Sequence, residues 1–439
     1  MNNHRLLSGL LCAVLMSGSV CADAKDSRVF TIEDLFEIAE SNSVQLRPLF
    51  TAEDEARRKI DVARDGCLPE ITADLSFSFI GDGFTTKRDF SDSQKAPIPH
   101  FGNGLSLTVE QPVYTGGAIT AGIELAELKS TAARYATELQ RDNIRFRLAG
   151  FYLDIYKYHN LRRVVENNLI QARKVLSDME VRFSEGVALR NDITRYELLV
   201  SNLELQLIKI DNVLRLLNSN LVTTAGLPAD TEIVPDSTIL ARVLPCDGEA
   251  WWQDEAALNA PALKLARSSV DISRKAETIV RSERLPKVGL RAGWTIDGPI
   301  LVEVPPINRN LSYWYVGVGV SYNLSSLYKN EKSLSRSKIA TIKAEEELDA
   351  AREDISLRVR ADYIGYLEAY EVLKTRNKSV ELADRNYNVT ATRYAAGMAL
   401  ITDMLDAANS KLDAEQQLVN AHINIIYYYY KLLFTSGKI

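Results

Sequence analysis

Arg182-Phe183-Ser184-Glu185-Gly186-Val187-Ala188-Leu189 returns 211 residues later as Arg393-Tyr394-Ala395-Ala396-Gly397-Met398-Ala399-Leu400. The same shift lays Asp192 on Asp403, Tyr152 on Tyr363, Glu204 on Glu415 and Gly226 on Gly437, with no gap from about residue 130 to Gly226. An ungapped run of this kind marks an internal duplication, and a repeat constrains the fold before any single element does. Apolar residues at 4-3 spacing lead into the first glycine (Val165, Leu169, Ala172, Leu176, Met179, Phe183) and away from it (Leu189, Ile193, Tyr196, Val200, Leu203). The second copy has Leu400, Met404, Ala407, Ala414 and Leu418 in the same frame, interrupted once by Lys411. Two heptad seams that reverse at a glycine predict two antiparallel coiled-coil hairpins, with Gly186 and Gly397 in the left-handed conformation at the reversals.

Proline supports this reading. All 13 prolines lie outside residues 113–227 and 307–439. Proline breaks helix interiors, so these stretches are free to form very long helices. Residues 118–184 would make a rod of about 100 Å, and the return helix over 190–225 one of about 50 Å, at the usual rise per residue. The average composition, 46% apolar and 25% charged, resembles that of a soluble protein. A net charge of −6 argues against a nucleic-acid binder. Beyond the N-terminus no uncharged apolar run is long enough for a transmembrane helix.

Each half repeats one order of elements. In the first, a helix is expected from Thr31, whose hydroxyl and Asp34 form a capping-box pattern, to Arg64, before Leu68-Pro69. Ile71 to Phe79 then alternates apolar and polar residues, which is strand periodicity. A loop over 81–102 precedes a second strand around Leu105, Leu107 and Val109, and Gly116-Gly117 opens the long helix. In the second half a helix over 250–284 precedes Leu285-Pro286. Two strands follow, one with Val288, Leu290, Ala292, Trp294 and Ile296 on one face, the other with Trp314, Val316, Val318, Val320 and Tyr322. Strands of about 10 residues that alternate apolar-out and polar-in suit an outer-membrane barrel. A half-buried sheet in a soluble protein is the other reading of the pattern. Four strands cannot close a barrel, and an open edge in lipid leaves backbone groups unpaired. The chain must therefore oligomerise, and three copies would supply 12 strands.

Residues 1–22 read as a secretory signal, with Arg5, an apolar run from Leu6 to Met16 and small residues behind it. Val20 before Cys21 argues against lipidation. Cys67 and Cys246 read as structural. His4, His100, His159 and His422 lack metal-ligand spacing, Gly81-Asp82-Gly83 lacks the helix and Lys-Ser/Thr of a phosphate loop, and no catalytic grouping can be assembled. We therefore expect no enzyme, metal or cofactor. Tyr427-Tyr428-Tyr429-Tyr430 is expected to pack in a core rather than form an interfacial belt.

With Leu68-Pro69, Leu285-Pro286, Gln111-Pro112-Val113-Tyr114-Thr115-Gly116-Gly117 and the two glycine segments in view, the sequence resembles the TolC family of outer-membrane efflux proteins over nearly the whole chain. The resemblance implies a mainly α fold with a small β part. Long coiled-coil helices would build a trimeric α-barrel across the periplasm, and four strands per chain would join a 12-stranded β-barrel in the outer membrane. The expected organisation is a signal at 1–22, a first repeat at 23–226, a linker at 227–249 and a second repeat at 250–439. Implied partners are two further copies, a periplasmic adaptor, an inner-membrane transporter and outer-membrane lipid. Position by position, Asp403 and Asp406 match the pore-facing aspartates of the constriction. Arg182, Phe183, Gly186, Val187, Ala188, Leu189 and Asp192, with Arg393, Tyr394, Gly397, Met398, Ala399 and Leu400, match the tip that an adaptor grips. Asp192 matches an aspartate that helps hold the entrance closed, but Ala399 stands where its arginine partner is expected, and the second half lacks the Gly-Gly. A solvated helix face is the plainer account of Asp403 and Asp406. A soluble periplasmic coiled-coil scaffold is the alternative for the whole chain.

Overall fold

The computed structural model describes residues 27–236, 238, 239, 244, 247–303 and 306–439. The signal segment, Cys21, His4 and Cys246 lie outside the described residues.

The two long proline-free stretches each fold into one very long helix and a half-length partner. Helix α3 (Ala118–Ser184) has 67 residues and α4 (Arg190–Ala225) has 36. Their counterparts are α7 (Ser326–Ala395), with 70, and α8 (Ile401–Ser436), with 36. The seam positions are where burial falls. Ile193, Tyr196, Leu203 and Ile210 are buried on α4, and Met404, Ala407, Lys411 and Ala414 on α8.

The two shorter helices expected before the strands are each broken in two. In the first half α1 (Ile32–Asn42) is followed by α2 (Arg47–Asp65), and in the second α5 (Glu249–Asn259) is followed by α6 (Pro261–Ser282). Both later members carry proline in their first turn. Proline is tolerated there because its missing N–H has no intrahelical partner to lose. Ala260, just before Pro261, is accordingly non-helical, with ψ 117°. The capping box at Thr31 is formed: Asp34 N–H donates to the Thr31 hydroxyl at 3.1 Å, and Thr31 N–H to the Asp34 carboxylate at 2.9 Å.

The ends of α4 and α8 lock against these breaks. Gly226 and Gly437 adopt φ 74° and 72°. A Cβ on Gly226 would lie 2.5 Å from the Asn42 carbonyl oxygen, and one on Gly437 2.7 Å from that of Asn259. The duplicated glycines thus close two equivalent junctions, each against the last residue of the helix before a break.

Strands β2 (Glu70–Phe79), β5 (Phe101–Tyr114), β7 (Lys287–Gly298) and β8 (Leu311–Ser321) form one antiparallel sheet in that order. The register aligns like with like. Ile71, Val109, Ala292 and Val316 form one row, and Ala73, Leu107, Trp294 and Trp314 the next on that face. On the other face Glu70, Glu110, Arg291 and Gly317 are aligned, as are Thr72, Thr108, Gly293 and Tyr315. The apolar face is bare: Ile71, Leu75, Val316 and Val318 are all largely exposed. The Tyr315 ring lies over Gly293, within 2.6 Å of where a Cβ would sit, so an aromatic from the next strand covers a glycine.

Two further pairings went unread in the sequence. The expected loop over 81–102 contains a small hairpin, β3 (Gly83–Thr85) with β4 (Gln94–Ala96), and the linker contains β6 (Glu232–Pro235), which pairs in parallel with β1 (Ser27–Phe30). Cys67 is exposed and unbridged at the junction of α2 and β2, rather than part of a core. Of the four tyrosines, Tyr430 is buried among Ile32, Leu35 and Leu221. Tyr429 meets the buried Trp252 edge-on, with centroids 6.4 Å apart.

Where α1 and α6 meet the middle of α3, charges are crowded. Arg141 and Arg145 of α3 both reach Glu40 of α1, at 3.0 and 3.6 Å. Burial pushes the neighbouring Asp142 carboxyl up from 3.8 to about 6, against the pull of Arg145, Arg141 and Lys264. A raised carboxyl costs stability while it is ionised, and the cost is relieved as pH falls through 6 towards 3.8. Asp142→Asn should therefore stabilise the protein at pH 7, by on the order of 2–3 kcal/mol, and have little effect near pH 4. Thermal unfolding of the purified protein at the two pH values checks this.

The same measurement tests the junctions. Gly186→Ala meets nothing within 4 Å and should incur only the left-handed penalty of about 1–2 kcal/mol. Gly226→Ala and Gly437→Ala add a backbone clash and should lower the melting temperature more.

Candidate functional site at the hairpin tips

Both tips are built by the same two hydrogen bonds. In the first, Val187 N–H donates to the Arg182 carbonyl at 2.9 Å and Gly186 N–H to that of Phe183 at 3.0 Å. In the second, Met398 N–H donates to the Arg393 carbonyl at 2.8 Å and Gly397 N–H to that of Tyr394 at 3.0 Å. These are the paired 6→1 and 5→2 bonds that end a helix on a left-handed glycine, and Gly186 and Gly397 have φ 77° and 72°. Val187, Leu189, Met398 and Leu400 project apolar side chains into solvent, each at least 65% exposed, while Ala188 and Ala399 are half-buried. Just above, Met179, Ile193, Tyr196, Ile401 and Met404 belong to one buried cluster that joins the two hairpins.

The aspartates differ in their surroundings. Asp192 is half-buried and stands close to Tyr394 of the other hairpin. Burial raises the Tyr394 hydroxyl above its ordinary value, the Asp192 charge raises it further, and Arg182 opposes them. Arg190 instead approaches the Phe183 ring, 6.0 Å from its centroid. Among the described residues neither Arg190 nor Arg195 forms an ion pair with Asp192, so neither replaces the arginine missing at Ala399. Asp403 and Asp406 are both exposed on α8. The Asp403 carboxylate accepts the Leu400 N–H at 3.0 Å, so it satisfies a donor that the helix itself leaves unpaired. Asp406, one turn on, forms no ion pair among the described residues. No group of His, Cys, Asp or Glu suited to a metal ion occurs among the described residues.

Above the tips lies a polar group that the sequence reading passed over. Lys411, noted only as an interruption of the seam, is buried. Its ammonium pairs with Asp384 of α7 at 2.8 Å and lies 5.0 Å from the centre of the Tyr387 ring. Tyr387 and Tyr196 of α4 line one small cavity between the hairpins, and burial raises both hydroxyls above their ordinary values. A lysine at an apolar heptad position was the available signal, because a charge buried in a seam requires a partner.

The fold and tips can now be set beside known proteins. Residues 35–226 and 252–426 match the family described as outer membrane efflux protein, and the chain belongs to that family. It is 23% identical to the pyoverdine export outer membrane protein OpmQ of Pseudomonas putida, over 88% of this chain and 81% of that one. It is 20% identical to the outer membrane protein TolC of Vibrio cholerae, over 90% of this chain and 88% of that one. Its fold resembles the outer-membrane channel OprN, with a TM-score of 0.78, 17% identity and coverage of 93% and 90% of the two chains. The mostly helical fold with its small sheet is that of the TolC-like channels, and the family consists of channel proteins rather than enzymes.

Because Asp403 caps α8, Asp403→Ala should weaken the start of that helix by about 1 kcal/mol. Asp403→Asn keeps an acceptor, and Asp406→Ala removes no cap, so both should be nearly neutral. Amide exchange over residues 400–405 distinguishes the three.

Proposed function

We propose that three copies of this chain form a passive export duct through the outer membrane. The observation that carries this reading is the four-stranded sheet, with one bare apolar face and two open edges, joined to helices about 100 Å long. The chain alternates direction at each strand, so the outer edge of β8 in one copy runs antiparallel to the outer edge of β2 in the next. Closure by three copies therefore continues the same ladder without a change of pattern, giving 12 strands. A soluble scaffold would instead leave a contiguous apolar patch in water, which soluble monomers avoid.

In this reading residues 1–22 are removed on export. The repeats at 23–226 and 250–439, joined by the linker at 227–249, each contribute two strands and one hairpin. The hairpins extend into the periplasm, where the exposed Val187, Leu189, Met398 and Leu400 offer small apolar knobs to a periplasmic adaptor. An inner-membrane transporter supplies the energy. Threefold symmetry converts Asp403 and Asp406 into two rings of three carboxylates at the entrance, which favour cations over anions.

Purified protein in planar bilayers tests the reading. The wild type should form cation-selective pores that trivalent cations block. Asp403→Asn with Asp406→Asn should weaken both the selectivity and the block several-fold while leaving the pores intact. Unchanged selectivity would remove the rings from the assignment, and a protein that stays out of the membrane fraction would favour the scaffold.

A further inference from the structure

On the face of the sheet that carries Glu70, Glu110 and Arg291, most positions are serine, threonine or glycine. Its aromatic residues are Tyr313 and Tyr315 of β8, which are 50% and 45% exposed. Each stands beside small residues: Tyr313 is aligned with Thr295 and Ser106, and Tyr315 with Gly293 and Thr108. The Tyr315 ring leans over Gly293, and around Gly317, the next residue of β8 on this face, there is open space. Both tyrosines thus rise from a floor without bulky side chains.

A carboxylate stands opposite them. Asp297 of β7 is the diagonal neighbour of Tyr313 on the same face, a spacing that long and aromatic side chains can bridge. Its Oδ2 accepts the Thr295 hydroxyl at 2.8 Å, and its Oδ1 lies over Gly104 of β5, 2.9 Å from where a Cβ would sit. It forms no ion pair among the described residues. The two basic residues of these strands leave it uncompensated: Arg291 is paired with Glu110 at 3.1 Å, and Lys287 is at the opposite end of β7. Rings on β8 and a carboxylate over β5 are two strand spacings apart, roughly 10 Å. That gap fits a small aromatic ammonium ion, its flat body against the tyrosines and its charge towards Asp297. Aromatic faces attract such cations, and the carboxylate, held by Thr295, supplies a fixed counter-charge.

We propose that Tyr313, Tyr315 and Asp297 form a subsite for organic cations with a flat apolar body, at the end of the sheet away from the helices. The proposal rests on the channel reading, in which this face lines the passage and three copies supply three such subsites near its outer mouth. Each subsite is open on one side, so binding is weak enough for the cation to leave, as passage requires. The tyrosines separate organic from inorganic cations, a distinction that rings of carboxylates at the other end of the duct do not make.

Single-channel recording with phenyltrimethylammonium or tetramethylammonium added at the outer side tests this. The second ion has the charge without the ring. In the wild type, phenyltrimethylammonium should block at concentrations about tenfold lower than tetramethylammonium. Tyr313→Leu with Tyr315→Leu should abolish that advantage, and Tyr313→Leu alone, which leaves Gly293 covered, should reduce it about threefold. Tyr313→Phe with Tyr315→Phe keeps both rings and should retain most of it. Asp297→Asn should weaken block by phenyltrimethylammonium several-fold. Block by trivalent cations, which reports the entrance, should be the same in the tyrosine variants as in the wild type. If the leucine variants are blocked like the wild type and only their melting temperatures move, the tyrosines merely cover glycine and the proposal is overturned. If the wild type itself forms no pores, the channel reading fails and the subsite with it. Pores that trivalent cations block but that do not prefer the ring-bearing ion leave the channel reading intact and refute the subsite alone.

Discussion

The structure depends on covering α3 and α7 along their whole length. An isolated helix of this kind is marginal in water and takes its stability from a packed face. No single neighbour covers either one. Helix α3 meets α2 and α6 towards the sheet, and α4 and α8 towards the tips, while α7 meets α6 in one direction and α8 in the other. Each long helix is thus spliced from two sets of shorter partners, and every splice leaves helix ends that need caps. That is where the glycines and prolines concentrate. Pro48 and Pro261 begin the upper partners, and Gly226 and Gly437 end the lower ones, hard against Asn42 and Asn259. The absence of proline from the long helices and its presence at the splices reflect one requirement.

The duplication lets each solution be compared with its copy. The tips agree in both hydrogen bonds and in the sign of φ. The splices agree in the residue that the glycine presses on. The starts of the two long helices differ. Gly116 and Gly117 both take positive φ before α3, whereas Ser325 enters α7 with ordinary helical angles. The seams differ as well, since the first hairpin has Val200 where the second has Lys411. Agreement occurs where backbone geometry permits one solution. Divergence occurs where the halves have different neighbours: α3 lies inside the protomer, between two helices of its own chain, and the start of α7 lies at its edge.

What could be read from the sequence follows the same division. Long-period signals were legible: the extent of α3, the alternation of the four strands, the reversing glycines and the capping box at Thr31. Breaks within a continuous helical pattern were harder to see, because Ser43 and Ala260 are compatible with helix and only the following proline hinted at an end. The β1–β6 pair was invisible because four residues carry too little pattern, and its partners are some 200 residues apart. At the tips, position in the repeat singled out Asp192 and Asp403, but not what they touch. That Asp403 accepts its own helix's N–H, and that Asp192 lies near Tyr394, depends on side-chain directions set by packing. The Lys411 group was missed because an interruption in a seam names Lys411 and conceals Asp384 and Tyr387.

In the proposed duct, the cap that Asp403 forms bears on how the entrance can change. A carboxylate that caps a helix is held by that helix, so it moves with α8 rather than by rotating its side chain. Asp406 has no such tie among the described residues. In a ring of three, the upper and lower carboxylates would then respond differently to a passing cation: the free side chains adapt locally, while the capped ones shift only if α8 shifts. In the proposed duct, any coupling between ion occupancy and hairpin position should therefore run through Asp403, which would join the charge of the ring to the backbone of α8.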